Sequence, residues 1–216
     1  TYTFDMPAGN ITLTASSNKG TANYKIVYML QKLEGGSILD EYVAMSDSNA
    51  TALGLAISAN GQTEDAITYN MIAAANSDTF PQIKGFKYAG LGILSGETYT
   101  EVKIAGDGTS VVNVYYKRLS YTLTINYLYG DTDETLATSA SNSYAYGQAY
   151  DVKAIEIKGY SYVSGEESGN MPAADKTISI RYKEITYTIS YNVDGGNALI
   201  GLTKDGDYYV QTYTVR

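Results

Sequence analysis

Tyr121-Thr122-Leu123-Thr124-Ile125-Asn126-Tyr127 alternates apolar and polar residues at every step. Tyr121, Leu123, Ile125 and Tyr127 fall on one side of an extended chain and Thr122, Thr124 and Asn126 on the other. That period of two marks a half-buried β-strand. The pattern recurs on both sides of it, at Tyr24-Lys-Ile-Val-Tyr28 and at Tyr187-Thr-Ile-Ser-Tyr191. A second recurring stretch, Ile83-Lys-Gly-Phe-Lys-Tyr88, returns 74 residues later as Ile157-Lys-Gly-Tyr-Ser-Tyr162. Its glycine supplies a backbone angle that other residues resist, and the aromatic after it is expected to plug a core. A third is a closing strand, Thr177-Ile-Ser-Ile-Arg-Tyr-Lys183, with Ile178, Ile180 and Tyr182 inward. Val111 to Lys117 ends in the same Tyr-Lys pair. Met6-Pro-Ala-Gly-Asn-Ile-Thr-Leu-Thr14 echoes Met171-Pro-Ala-Ala-Asp-Lys-Thr-Ile-Ser179, a short polar turn leading into a strand.

These repeats divide the chain. Residues 1–20 read as the tail of one unit, 21–118 and 119–184 as two complete units, and 185–216 as the start of another. The linkers Arg118-Leu-Ser120 and Glu184-Ile-Thr186 are short, which predicts stiff connections and an elongated array. The first complete unit is the longer one, with its extra material between Tyr42 and Phe80. There Ile67, Met71, Ala74 and Ala75 recur at helical spacing, behind Glu64 and Asp65 and ahead of Asn76. A helix is predicted over 64–75, with a weaker helical turn near 50–57. The second unit shows no clear helix, and Ala145 to Ala154 reads either way. One helix across a small mixed sheet makes each unit a β-grasp-like module of a β-rich α+β protein.

Composition narrows the function. The chain has no Cys, His or Trp, and it has 23 Tyr. Most metal sites, thiol nucleophiles and Ser-His triads are thereby excluded, as is a disulfide framework. Tyr enrichment alongside Thr and Val favours strands. A net charge of −8 opposes nucleic-acid binding. No apolar run is long enough to span a membrane. The chain opens on Thr1 with no leader-like segment, so it reads as a piece of a longer protein.

Few residues offer chemistry. Gly130-Asp-Thr-Asp-Glu134 could bring Asp131, Asp133 and Glu134 to a Ca²⁺ ion. An EF-hand loop counted from Asp131 needs Gly at its sixth place and Glu at its twelfth. Leu136 and Asn142 stand there, so a solvated hairpin tip is the stronger expectation, and Glu166-Glu167 reads as a polar loop. Scattered carboxylates without a cleft do not make a hydrolase. No enzyme and no cofactor are expected. Tyr115-Tyr116 and Tyr208-Tyr209 each put one ring on either side of a strand. Tyr115 and Tyr208 are the candidates for an exposed, ligand-contacting ring, against ordinary cross-strand packing. Lys25, Lys153 and Lys176 are the candidate donors for a Lys–Asn isopeptide bond.

Residues 120–184 resemble a MucBP (mucin-binding protein) repeat. The resemblance rests on Tyr121 to Tyr129, the acidic hairpin at 130–134, Tyr146-Gly147, Lys158-Gly-Tyr160 and Ile180-Arg-Tyr-Lys183. Residues 23–118 resemble a longer relative of that unit. Thr186-Tyr-Thr-Ile-Ser-Tyr-Asn-Val-Asp-Gly-Gly196 resembles the opening of an internalin-type B repeat of the Listeria–Bacteroides class, and residues 2–15 its closing strands. These families imply ubiquitin-like β-grasp folds, secretion, and display on the cell wall of Gram-positive and some gut bacteria. The implied role is an adhesin or stalk that spaces and presents modules to a host glycoprotein, a glycan or another surface protein. The alternative is a dedicated mucin-type glycan-binding module centred on 21–118. The likeness of the two ends to halves of one repeat also suggests head-to-tail self-association through strand pairing.

Overall fold

The computed structural model describes residues 8–10, 12, 18–35, 37–194, 196–197 and 200–215, with Ser37 and Ile38 as backbone alone. Most of the tail expected at 1–20, including Met6 and Pro7 and the strand after them, lies outside the described residues. By internal contacts the chain forms two compact units. The first takes residues up to Leu30 with Val43–Gln82 and Tyr88–Tyr116, and the second Gln31–Tyr42, Ile83–Lys87 and Lys117 onward. The protein is β-rich, at 54% strand and 7% helix.

The first sheet is built from β1 (Thr21–Glu34), β2 (Ser37–Ala44), β3 (Ser58–Gln62), β4 (Phe86–Ser95), β5 (Thr98–Thr100) and β6 (Val111–Arg118). Its order is β2-β1-β6-β4-β5, with β3 also on β1. At its centre β1 and β6 run parallel, Ile26 opposite Val112 and Tyr28 opposite Val114. Strands buried in the middle of a sheet need apolar or aromatic residues at alternate positions. Tyr24, Ile26, Tyr28, Val112, Val114 and Tyr116 are all buried.

Two helices lie in the extra material of this unit. Helix α1 (Asp47–Ala52) is capped by Ser46, whose side chain accepts from Asn49 N, and it ends at Leu53 ahead of Gly54 at φ +73°. Helix α2 (Tyr69–Ala75) is capped by Thr68, which accepts from Met71 N. Both differ from the sequence reading. The helix expected over 64–75 starts only at Tyr69, because residues 64–67 pair with another segment. Glu64 sits at φ +65°, and its N–H donates to Ile104 O while Ile67 N–H donates to Val102 O. Glu64 and Asp65 are therefore not helix-terminal acids. The turn expected at 50–57 falls earlier, at 47–52, since Ser46 and Asp47 supply the start signal. Asn76 does stop α2. Its side chain caps Ile72 O at 2.8 Å and accepts from Ala56 N at 2.8 Å.

The second sheet holds β7 (Ser120–Tyr129), β8 (Thr135–Ala145), β10 (Tyr160–Ser164) and β12 (Lys176–Glu184) in the order β10-β12-β7-β8. β9 (Ala149–Val152) and β11 (Glu167–Asn170) form a small antiparallel pair beside it. The ambiguous stretch at 145–154 thus contains a strand. Again the opening and closing strands run parallel, Leu123 opposite Lys176 and Ile125 opposite Ile178. The expected inward residues are inward. Leu123, Tyr127, Ile178, Ile180 and Tyr182 form one buried cluster with Tyr150, Val152 and Met171, and Tyr121 and Ile125 pack against it. β13 (Tyr187–Asn192), β14 (Thr203–Asp205) and β15 (Tyr208–Tyr213) make a third sheet, ordered β13-β15-β14.

The first two sheets share more than an order of strands. Tyr116 Oη donates to Pro81 O at 2.9 Å, and Tyr182 Oη donates to Ile155 O at 2.9 Å. Each of these rings tilts against a tyrosine of the parallel neighbour, Tyr28 at 6.3 Å and 49° and Tyr127 at 6.5 Å and 53°. Gly85 and Gly159 stand at φ +81° and +84°. Their carbonyls accept from the linker amides, Leu119 N at 2.9 Å and Ile185 N at 2.8 Å. A Cβ at Gly85 would sit 2.2 Å from the Tyr146 ring and one at Gly159 2.1 Å from Val215 Cγ1, so glycine is required twice over. The aromatics after these glycines sit at the margin of the core and do not fill it, although Tyr160 packs against the buried cluster of the second sheet. Phe86 and Tyr160 are half-buried, packed edge-on against Tyr146 and Tyr129, and the buried rings are Tyr116 and Tyr182.

Candidate functional site

Tyr88 is the sixth residue of the Ile-Lys-Gly repeat and lies on β4. It stands near the start of the strand, on the same side as the buried Gly90 and Gly92, and its ring remains 38% exposed. Beneath it the buried Tyr116 ring meets it edge-on at 6.4 Å and 74°. The extra material of this unit adds two more rings. The Thr68 cap sets Tyr69 as the first residue of α2. Phe80, followed by Pro81, stacks on Tyr69 at 3.9 Å with 3° between the planes. Tyr88 closes the group edge-on, 4.7 Å from Phe80 and 5.6 Å from Tyr69. Phe80 is 6% exposed and Tyr69 46%, so a buried ring supports two open ones. Gln82, in the same unit, donates from Nε2 to Phe80 O and braces the loop.

The result is a rigid aromatic platform with polar edges. Burial raises the Tyr88 hydroxyl above its ordinary value, with Tyr69 and Tyr99 adding to the effect, and burial raises Tyr116 as well. Paired open rings offer large contact area for little lost rotamer entropy. Faces of this kind suit flat apolar surfaces that carry hydroxyls, such as the C–H faces of sugars.

The second module has one ring of this platform. Tyr162, 74 positions after Tyr88, stands on β10 and is 44% exposed. Its hydroxyl accepts from Glu166 N at 3.3 Å. Sequence reasoning used both tyrosines only as repeat markers and passed over Tyr69. The fixed spacing to the glycine was the available signal.

The residues singled out from sequence meet different fates. Tyr115 and Tyr116 are both buried, at 5% and 1%, which corrects the expectation that Tyr115 faces outward. The β4–β5 hairpin covers its side of the sheet, with the Tyr99 ring 5.3 Å away, and its hydroxyl accepts from Asn113 Nδ2 at 3.2 Å. Tyr208 is exposed at 45% beside the half-buried Tyr209. The hairpin tip does not gather Asp131, Asp133 and Glu134 into a group that could hold a metal ion. Arg181 Nη1 donates to Gly130 O at 2.8 Å and to Thr132 O at 3.0 Å, so a cation already occupies the turn carbonyls. Among the described residues no cluster of acidic side chains could hold a metal ion.

Glu166 and Glu167 are more than loop residues. Glu166 Oε1 accepts from Ala154 N at 2.9 Å, and Glu167 Oε1 accepts from Tyr150 Oη at 2.7 Å. The isopeptide donors are engaged with carboxylates, not with asparagines. Lys25 meets Asp47, Lys153 meets Asp151 and Lys176 meets Glu167, and each lysine side chain keeps 29% or more of its exposure. A separate open groove of 610 Å³, lined by Val43, Met45, Ala52 and Leu53 among others, carries no charged side chain. No helix among the described residues is long and apolar enough to cross a membrane.

The MucBP domain family matches residues 122–183, which takes in β7 to β12. Among solved structures, the Bacillus anthracis TIE protein is similar at 13% identity and TM-score 0.37, over 90% of this chain and 43% of that one. The chain thus spans less than half the length of that protein. The type 2 repeat of the mucus binding protein MUB from Lactobacillus reuteri is similar at 12% identity and TM-score 0.26, over 76% of this chain and 100% of that one. Domains 3–4 of a streptococcal cell surface protein, from its high identity repeats in tandem, are similar at 15% identity and TM-score 0.25, over 76% and 98%. No curated protein matches.

Proposed function

We propose that this chain is a non-enzymatic repeat segment of a bacterial cell-surface adhesin, made of β-grasp-like modules that hold aromatic contact sites for host glycoproteins. The observation that carries the reading is the recurrence of one open tyrosine, Tyr88 and Tyr162, at the same place on equivalent strands. In the longer module this tyrosine is built up by Tyr69 and Phe80 into a platform. The MucBP match over 122–183 supports extracellular display and a mucin-type glycan as the ligand class. Attachment to a Gram-positive cell wall, and B-type repeats at either end, belong to the same reading through the sequence resemblance. The longer module is the principal binding site and the shorter one a spacer with a weaker contact.

A mucin-type glycan array tests this with the whole chain and its Tyr69→Ala and Tyr88→Ala variants. The chain is expected to bind O-linked glycans, and each variant to lose about tenfold in affinity, the worth of one desolvated aromatic contact. Binding that neither substitution weakens would overturn the platform as the site. An array blank for the wild-type chain would leave spacing as the segment's role.

A further inference from the structure

In each complete module the chain enters on one strand and leaves on its parallel neighbour. β1 opens the first module and β6 closes it, with Lys25 opposite Val111 and every following pair in step to Leu30 opposite Tyr116. β7 opens the second and β12 closes it, from Leu123 opposite Lys176 to Tyr129 opposite Tyr182. These are six and seven consecutive pairs, with no shift of register. The chain continues on both sides of the two modules. Tension along it therefore pulls each opening strand towards its start and each closing strand towards its end. Parallel neighbours loaded in this way are made to slide past each other. Their evenly spaced bonds share the load, and the ladder yields only when they fail together. The same ladder opened from one end would peel a pair at a time.

Both ladders are reinforced at their ends. In the second module Asp175 Oδ1 accepts from Thr122 N at 2.7 Å just ahead of the first pair, and Gly130 N donates to Tyr182 O at 2.7 Å just past the last. In the first module Lys25 N donates to Ser110 O at 2.8 Å. The part of β1 ahead of the ladder is held by β3, from Thr21 opposite Gln62 to Lys25 opposite Ser58. Buried side chains on the ladder strands, Ile26 and Val112 in one and Leu123 and Ile180 in the other, keep water from replacing the bonds. We infer that both complete modules are load-bearing, each with its parallel terminal pair as a shear clamp. The first clamp also carries the aromatic platform. Tyr116, in its last pair, is the ring against which Tyr88 packs, and its hydroxyl holds Pro81 O. The platform stays whole until this clamp breaks and is lost with it. The benefit to binding rests on the contact role proposed for the platform, whereas the clamps do not depend on that role.

Single-molecule force spectroscopy on the full chain tests this by changing only the direction of pull. The chain has no cysteine, so introduced pairs at exposed positions serve as handles. Ser120→Cys with Lys183→Cys loads the second ladder in shear. Ser120→Cys with Ala174→Cys opens the same ladder from one end. The shear pair is expected to rupture at a several-fold higher force, in one step that releases about 20 nm of chain. Thr21→Cys with Lys117→Cys loads the first ladder and is expected to rupture in the same high range. Forced unfolding reads the unfolding rate and not the equilibrium stability, so thermal melts of the three variants are expected to agree while their rupture forces differ. Equal rupture forces for the two second-module pairs would overturn the inference, and rupture of the first module at the low force would remove the clamp from that module. Glycan binding does not enter the readout, so the clamps and the proposed contact site stand or fall separately.

Discussion

Tyr116 and Tyr182 each turn one hydroxyl onto a loop carbonyl, Pro81 O and Ile155 O, at the same 2.9 Å. Removing a buried donor leaves its acceptor unpaired, at a cost of about 1–3 kcal/mol. Tyr116→Phe and Tyr182→Phe are therefore expected to lower stability by similar amounts in that range, as read by urea unfolding. Arg118 is held more elaborately. It donates from Nη1 to Tyr146 O at 2.6 Å and from Nη2 to Gln31 O at 3.1 Å, and it lies over the Phe86 ring at 4.8 Å. Burial lowers its pKa from the ordinary arginine value, with Tyr146 acting the other way. Lys176 and Glu167 give a pH dependence. Hydrogen bonds from Lys176 and then Tyr150 lower the Glu167 pKa, so its stabilising contribution is complete above the ordinary Glu value of 4.5 and is lost as the pH falls through the lowered one. The Lys176 pKa is raised by the same bond, so its contribution is complete below the ordinary Lys value and lost as the pH rises through the raised one. Both side chains are partly exposed, at 29% and 44%, so solvent screens the pair and the effect is small. Glu167→Gln is expected to flatten the acid limb of a stability–pH curve by thermal melts. No change in that limb would remove the pair from the account.

Strands and helices differ in how far the chain announced them. β7 and β12 were legible because their neighbours are few and constant, so burial follows the period of two from Leu123 to Tyr127 and from Ile178 to Tyr182. Tyr115 was not legible, because its exposure depends on whether the hairpin carrying Tyr99 folds over it. The start of α2 was misread for a related reason. Glu64 and Asp65 have the composition of a helix terminus, but the amides of Glu64 and Ile67 donate to Ile104 O and Val102 O, a partnership that local pattern does not contain. At the acidic hairpin the sequence favoured a solvated tip over a cation site, but it did not show that Arg181, remote in sequence, takes the turn carbonyls. The platform was hidden in the same way, since Tyr69 and Phe80 meet only through the fold. Helix α2 has seven residues and is marginal alone, so its cap matters. Thr68→Ala is expected to cost about 1 kcal/mol. It should also weaken glycan binding with Tyr69 and Tyr88 unaltered. Unchanged affinity in that variant would separate the helix from the site.

At the scale of the whole chain, stability is unevenly distributed. The second sheet has a buried cluster that includes Leu123, Ile180 and Tyr182. The third leaves Tyr187, Ile189, Tyr208 and Tyr213 each 36% or more exposed. Segments with little buried apolar contact open at lower free energy. Amides of 187–213 are thus expected to exchange with deuterium well before those of 120–129 and 176–184, by hydrogen-exchange mass spectrometry. Equal protection in a dilute sample would contradict this division. The open rings of the longer module are the proposed contact surface. NMR titration of the tyrosine ring resonances with a mucin-type O-glycopeptide tests that directly. Saturable shifts should concentrate at Tyr69 and Tyr88, with a smaller response at Tyr162 and none at the buried Tyr24 and Tyr28. Saturable binding that leaves Tyr69 and Tyr88 unmoved while other residues respond would contradict it.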